Sequence, residues 1–287
     1  MKRSRPSSRR PTSQEYPGGS AGSRMAKKSS RRPVDRSAAR HQGKAEEKYH
    51  GVRACEALFA HRPQDIIRVY VAEERRRYFA ALLDHCAKAR LGFQVVAQEN
   101  LARISESTHH EGIVILARAC PRWGIAELLR AIEERRLKGP FLYLDGIQNP
   151  HNLGAILRTA AHFGTAAVLG ARGDLPPLSP AAVRVAEGAA EHVPVCDLDE
   201  PRSGLTRLKE LGFRVVATSS HRGRPVSPEV LGGKAVLVLG SESEGVSKPI
   251  AALADESVQI PGTGAVESLN VSVACGILLA EAWRGRM

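Results

Sequence analysis

Three short stretches concentrate the side chains able to do chemistry. The first, LDGIQNPHNLGAILRTAAHFG at 144–164, carries Asn152 and Arg158. The second, VLGSESEGVSKP at 238–249, holds Glu242 beside Leu239 and Gly240. The third, IPGTGAVESLN at 260–270, contains Ile260, Ser268, Leu269 and Asn270. Each begins where an apolar run ends, and a strand, a Gly/Asn turn and a helix N-terminus together suit an anionic or polar ligand. Glycines at 240, 245, 262 and 264 let backbone approach a ligand closely and adopt positive φ. Leu239, Ile260 and Leu269 would flank a flat apolar group such as an adenine ring. Neither GxGxxG after a strand nor GxxxxGK[ST] occurs, so these loops suit a neutral or cationic nucleoside better than a phosphate chain.

Singly, each residue has a plainer reading. Arg158 lies ~140° around the helix from Leu153, off the apolar stripe, where a solvated arginine is usual. Glu242 can cap a helix or face water, and Ser268 can be the N-cap of the last helix. Asn152 reads as the cap of a helix with the stripe Leu153, Ile156, Leu157, Ala160 and Ala161, which Gly164 would end. Three such loops converging on one sheet edge outweigh the separate plain readings.

The elements that must hold these loops alternate between strand and helix. From Pro140 onward the short apolar runs 141–145, 166–170, 193–198, 214–219, 235–240 and 257–261 fit a parallel sheet buried on both faces. Helices are expected near 153–163, 180–189, 203–211, 247–253 and 269–283. In such doubly wound sheets ligands bind outside the carboxyl ends of the strands. A smaller α/β unit is expected at 49–118, with strands at 66–72, 93–97 and 112–117 and a helix over 74–91. A linker helix at 119–139 carries Ile125, Leu128, Leu129 and Ile132 at helical spacing. His109 and His110 are adjacent and lack a partner set, so no metal site is expected.

Charge is uneven. Residues 1–48 hold 14 Lys and Arg against four Asp and Glu, while the rest holds 28 against 26. This segment is poor in large apolar side chains and is expected to be a disordered basic tail suited to phosphate backbones. It has no apolar h-region, and no run approaches ~18 apolar residues, so a cytoplasmic protein is expected. Five widely spaced cysteines without a CxxC read as reduced, buried thiols.

The three stretches, in this order and spacing, resemble the three motifs of the SpoU (TrmH-type) branch of the SPOUT RNA methyltransferases, over Pro140 to about Trp283. Residues 49–118 resemble the small ribosomal-protein-L30-like (L30e-like) substrate-binding domain of many such enzymes, with THHEGI echoing a His-Gln-Gly-Val pattern. The resemblance implies a trefoil-knotted, mostly parallel α/β domain at 140–287, a homodimer, and S-adenosylmethionine bent into the knot. It implies methyl transfer to a ribose 2′-hydroxyl, with ribosomal RNA expected ahead of transfer RNA. Asn152, Arg158, Glu242, Ser268 and Asn270 would be the catalytic set; Leu239, Gly240, Ile260 and Leu269 would contact the cofactor. On this reading Asn152, Ser268 and Asn270 hold the guanidinium of Arg158, and Glu242 pairs with it or positions its helix. Ser241 and Ser243 stand where relatives often have Asn and Gly. A non-catalytic RNA-binding protein on the same scaffold is the alternative, and a base methyltransferase a further one.

Overall fold

Apolar runs and turn residues fix the larger sheet. In a computed structural model that describes residues 45–285, the small unit comes first. Its elements are β1 (Glu46–His50), α1 (Val52–His61), β2 (Ile66–Ala72), α2 (Ala80–Lys88), β3 (Gly92–Val96), α3 (Gln98–Ser105) and β4 (Ile113–Arg118). Its sheet order is β1-β4-β2-β3, with β4 antiparallel to β1 and β2, and β2 parallel to β3. Helix α4 (Ile125–Glu133) leads into β5 (Phe141–Asp145), α5 (Pro150–His162), β6 (Ala167–Ala171), α6 (Pro180–Val185), β7 (Val195–Leu198) and α7 (Pro201–Glu210). Then follow β8 (Arg214–Thr218), β9 (Arg224–Pro225), α8 (Pro228–Leu231), β10 (Ala235–Gly240), α9 (Lys248–Ala251), β11 (Glu256–Gln259) and α10 (Val271–Arg284). These strands form one sheet in the order β7-β6-β5-β10-β8-β11-β9, and every pair is parallel.

The α/β class and the mostly parallel sheet expected from the sequence are therefore what forms. Leu142 and Leu144 pack with Leu153 and Ile156 of α5 on one face, while Phe141 and Tyr143 pack with Leu128 and Leu205 on the other. Strands buried on both faces cannot alternate in polarity, which is why their sequences are continuously apolar.

Several local expectations change. Strand β1 starts at Glu46, inside the span assigned to the tail, because EEKYH is an edge strand whose charged residues need not be buried. The remainder of that assignment, residues 1–44, lies outside the described residues. Helix α2 starts at Ala80, after a 3-10 turn at Glu73–Arg75, not at 74. Helix α4 ends at Glu133 because Arg135 takes φ 58°, a left-handed conformation that stops the helix. The cap of α5 is Asn149, whose side chain accepts from His151 N, so Asn152 sits inside the first turn. The cap of α10 is Asn270, not Ser268.

The small sheet is fastened to the large one. Tyr49, Leu58, Val69 and Ile115 belong to the same buried apolar cluster as Leu142 and Leu153. Arg62, at the end of α1, donates from Nε and Nη2 to the two carboxylate oxygens of Glu191, both at 2.7 Å. It also reaches Asp65 at 3.0 Å, the Arg118 carbonyl at 3.1 Å and the Tyr49 hydroxyl at 3.2 Å. Burial works to lower the Arg62 pKa, but Glu191 more than reverses this. Burial also pushes the Tyr49 phenol up to about 12. The side chains of Arg62 and Glu191 are 11% and 3% exposed. Removing one partner of such a buried pair strands the other charge, so Arg62→Ala should lower unfolding free energy by about 3–5 kcal/mol. Urea unfolding checks this, with Arg53→Ala as an exposed control expected to change stability by under about 0.5 kcal/mol.

Candidate active site

Strand β5 delivers Asp145 and then Gly146, whose φ of 71° turns the chain toward α5. Helix α5 places Asn152 in its first turn and Arg158 about 9 Å further along the axis. Strand β10 ends at Gly240, and the following loop folds straight back on it. Ser241 and Gly245 exchange backbone hydrogen bonds of 3.1 and 3.0 Å, Gly245 has φ 69°, and the Ser241 hydroxyl accepts from Glu244 N at 3.1 Å. Ser241 is thus an integral part of this turn. A Cβ on Gly240 would lie 2.0 Å from the Gly245 carbonyl carbon, so only glycine fits. Asp145 accepts from Ser247 N at 2.7 Å and ties this loop to the neighbouring strand end. Sequence reasoning did not single out Asp145; its place at the last residue of a strand abutting β10 was the available signal.

Glu242 is the hub. Its Oε1 accepts from Asn152 Nδ2 at 3.0 Å, from Asn270 Nδ2 at 2.7 Å and from Val271 N at 3.5 Å. Asn270 Nδ2 also lies 3.2 Å from Asn152 Oδ1. The opposite end of the same amide accepts from Ser272 N at 2.9 Å and caps α10. Three residues, one from each motif, thus close a single hydrogen-bonded triangle. An acceptor flanked by two amide donors and a helix N-terminus is a favourable place for a carboxylate.

Beside the triangle is a hollow of about 970 Å³ lined by Leu239, Gly240, Glu242, Ile260, Ser268 and Leu269, among others. Its size and its mixture of apolar walls and backbone polar groups match a site for a nucleoside-sized ligand. The segment 261–270 is exposed along its length, and Gly264 has φ 79°.

Arg158 is elsewhere. It is exposed on α5, does not line the hollow, and pairs with neither Glu242 nor the two asparagines within this chain. The expectation that Asn152, Ser268 and Asn270 grip its guanidinium is therefore not met within one chain, because the two amides are already committed to Glu242. Among the described residues no group of three or more His, Cys, Asp or Glu could hold a metal ion, and no helix is long and apolar enough to cross a membrane.

A family model described as the SpoU rRNA Methylase family matches residues 139–280. Another, described as RNA 2'-O ribose methyltransferase substrate binding, matches residues 50–122. The chain is 37% identical over 251 residues to the uncharacterized tRNA/rRNA methyltransferase YfiF of Escherichia coli O157:H7, covering 88% of this chain and 72% of that one. It is 33% identical to the 23S rRNA (guanosine-2'-O-)-methyltransferase RlmB of Pseudomonas putida, covering 84% of this chain and 97% of RlmB. The SpoU methyltransferase AviRb from Streptomyces viridochromogenes, solved in complex with the cofactor AdoMet, superposes with a TM-score of 0.68. That match covers 84% of this chain and 90% of AviRb at 22% identity, and it shows a shared fold.

Proposed function

The chain belongs to the SpoU rRNA methylase family, and from that premise we propose that it transfers a methyl group from S-adenosylmethionine (AdoMet) to a ribose 2′-hydroxyl of RNA. The observation that carries this is the triangle of Asn152, Glu242 and Asn270 at the rim of a nucleoside-sized hollow. The residues fit the cofactor: Leu239, Ile260 and Leu269 offer apolar wall, and the loop at Gly240 offers backbone polar groups. AdoMet, when bound, supplies an electrophilic methyl on a sulfonium.

What remains for the protein is positioning and charge. The 2′-oxygen must be held about 3–3.5 Å from the methyl and in line with it. Arg158 binds the ribose oxygen or its neighbouring phosphate and stabilises developing alkoxide charge; with a pKa above ~12 it is a costly base at neutral pH. Glu242, through Asn152 and Asn270, locks the first turn of α5 and the start of α10 to the loop that forms the hollow. Ser268 faces the hollow from the third motif as a polar contact.

Because Arg158 is outside the hollow in one chain, we assign it to the hollow of a partner copy. A homodimer is favoured by exposed Val273 and Ile277, one turn apart on α10, a helix that packs beside α5. The domain reading is an L30e-like RNA-substrate domain at about 46–118, a linker that carries α4, and the methyltransferase domain at 140–287; the two family matches support the two domains. RlmB is named for 23S rRNA, which favours ribosomal RNA over transfer RNA and a cytoplasmic location.

The test is tritium transfer from labelled AdoMet to RNA from a strain lacking the gene, with 2′-O-methyl mapping of that RNA against the parent strain. Label in RNA and one mapped site missing from the deletion strain are expected. AdoMet binding by calorimetry without any transfer would favour the non-catalytic RNA-binding reading instead.

A further inference from the structure

The outer strand of the small sheet is left open in a way its sequence does not require. The order β1-β4-β2-β3 sets β1 and β3 at opposite edges. The β1 side packs against α6 of the larger unit, so β3 faces away from it, across three strand spacings or ~14 Å. Phe93 and Val95 stand in register with the buried Val69 and Val71 and continue their apolar row. Yet helix α2 leaves them 41% and 38% exposed.

Phe93 lines a shallow hollow together with Arg76, Arg77, Leu83 and the acids Glu73, Glu74 and Asp84. Two of the acids are already engaged, Asp84 with Lys88 at 2.6 Å and Glu73 with Arg76 at 3.7 Å. Arg77 is exposed and has no ion-pair partner among the described residues. Exposed Arg90 lies two residues before the same strand. An aromatic face bordered by the uncommitted guanidinium of Arg77, with Arg76 held only by its exposed 3.7 Å pair to Glu73, suits a stacked base with its phosphate, since every base has a π-face.

We propose that Phe93, Val95, Arg76 and Arg77 form a platform for an unpaired nucleotide of the substrate RNA, remote from the methylated residue. The proposal rests on the RNA-methyltransferase reading and deepens it. It makes the small domain a second reading point, so that a structured RNA able to reach both places is a better acceptor than a short fragment.

The experiment uses the full chain, with RNA from the deletion strain as acceptor, in steady-state methyl transfer and in filter binding. Phe93→Ser should raise KM for RNA about tenfold, with kcat and AdoMet affinity unchanged, and Phe93→Tyr should restore the wild-type value. Arg76→Ala with Arg77→Ala should weaken filter binding and flatten its salt dependence. An unchanged KM for Phe93→Ser overturns the platform, as does full rescue by Phe93→Leu, which would mean simple apolar cover. If the wild type itself transfers no methyl, the enzyme reading fails, and filter binding by the same variants then decides the platform alone.

Discussion

Replacing Arg158 by alanine should lower kcat for methyl transfer by about 100- to 1000-fold, the usual cost of removing one group that stabilises developing oxyanion charge. AdoMet binding, read by calorimetry, should stay within about twofold of wild type, because Arg158 does not line the hollow. Arg158→Lys should fail nearly as badly, since the planar fork that holds two oxygens at once is lost. Its position outside its own hollow adds a sharper expectation. Mixing Arg158→Ala chains with Gly240→Val chains should recover about a quarter of wild-type activity if a twofold dimer exchanges its arginines. In the mixed dimer the Gly240→Val chain contributes the arginine and the Arg158→Ala chain contributes the hollow. No recovery, with subunit exchange verified, would put Arg158 to work in its own chain or remove it from the reaction.

The second large effect is at Gly240. Gly240→Ala places a methyl 2.0 Å from the Gly245 carbonyl carbon, 2.2 Å from Val246 N and 2.3 Å from the Gly245 oxygen. All three are backbone, so no side chain can swing aside, and the 241–245 turn must open. Overpacking costs about 1–3 kcal/mol where neighbours can give, and more where they cannot. At 3 kcal/mol or above, the AdoMet dissociation constant rises by roughly 100-fold or more. Gly276→Ala is the control: its added Cβ meets only a Thr159 methyl at 3.9 Å, an ordinary contact, its φ is not in the left-handed range, and it does not line the hollow. Calorimetry of the two variants should separate them clearly; equal affinities would mean that the turn does not shape the hollow.

The sequence disclosed the parallel sheet because a strand buried on both faces must be apolar throughout, and 141–145 and 235–240 are read directly from that constraint. It disclosed the three loops because three glycine- and amide-bearing stretches each follow an apolar run, although any one of them alone reads as an ordinary turn. It did not disclose which amide caps which helix. Asn149 and Asn152 lie three apart, Ser268 and Asn270 before α10 two apart, and local chemistry treats the members of each pair as near equals. The choice was made by Glu242, which draws Asn152 and Asn270 to itself from 90 and 28 positions away. Edge strand β1 escaped for a related reason: its pairing with β4 is a long-range event, and its charged residues give no alternating signal. The exposure of Arg158 was legible from its place off the apolar stripe, but its separation from the hollow of its own chain was not, since helical periodicity tells which face a residue takes and not what stands opposite.

The triangle also carries a consequence for how the protein is born. Its members span 118 positions, from Asn152 to Asn270. At a synthesis rate of about 5–20 residues per second, roughly 6–24 s separate the first corner from the last. During that interval the nascent chain can build α5 and the strands around it but cannot yet complete the methyl-donor cradle. Competence for the donor thus arrives late and all at once, when the final helix docks.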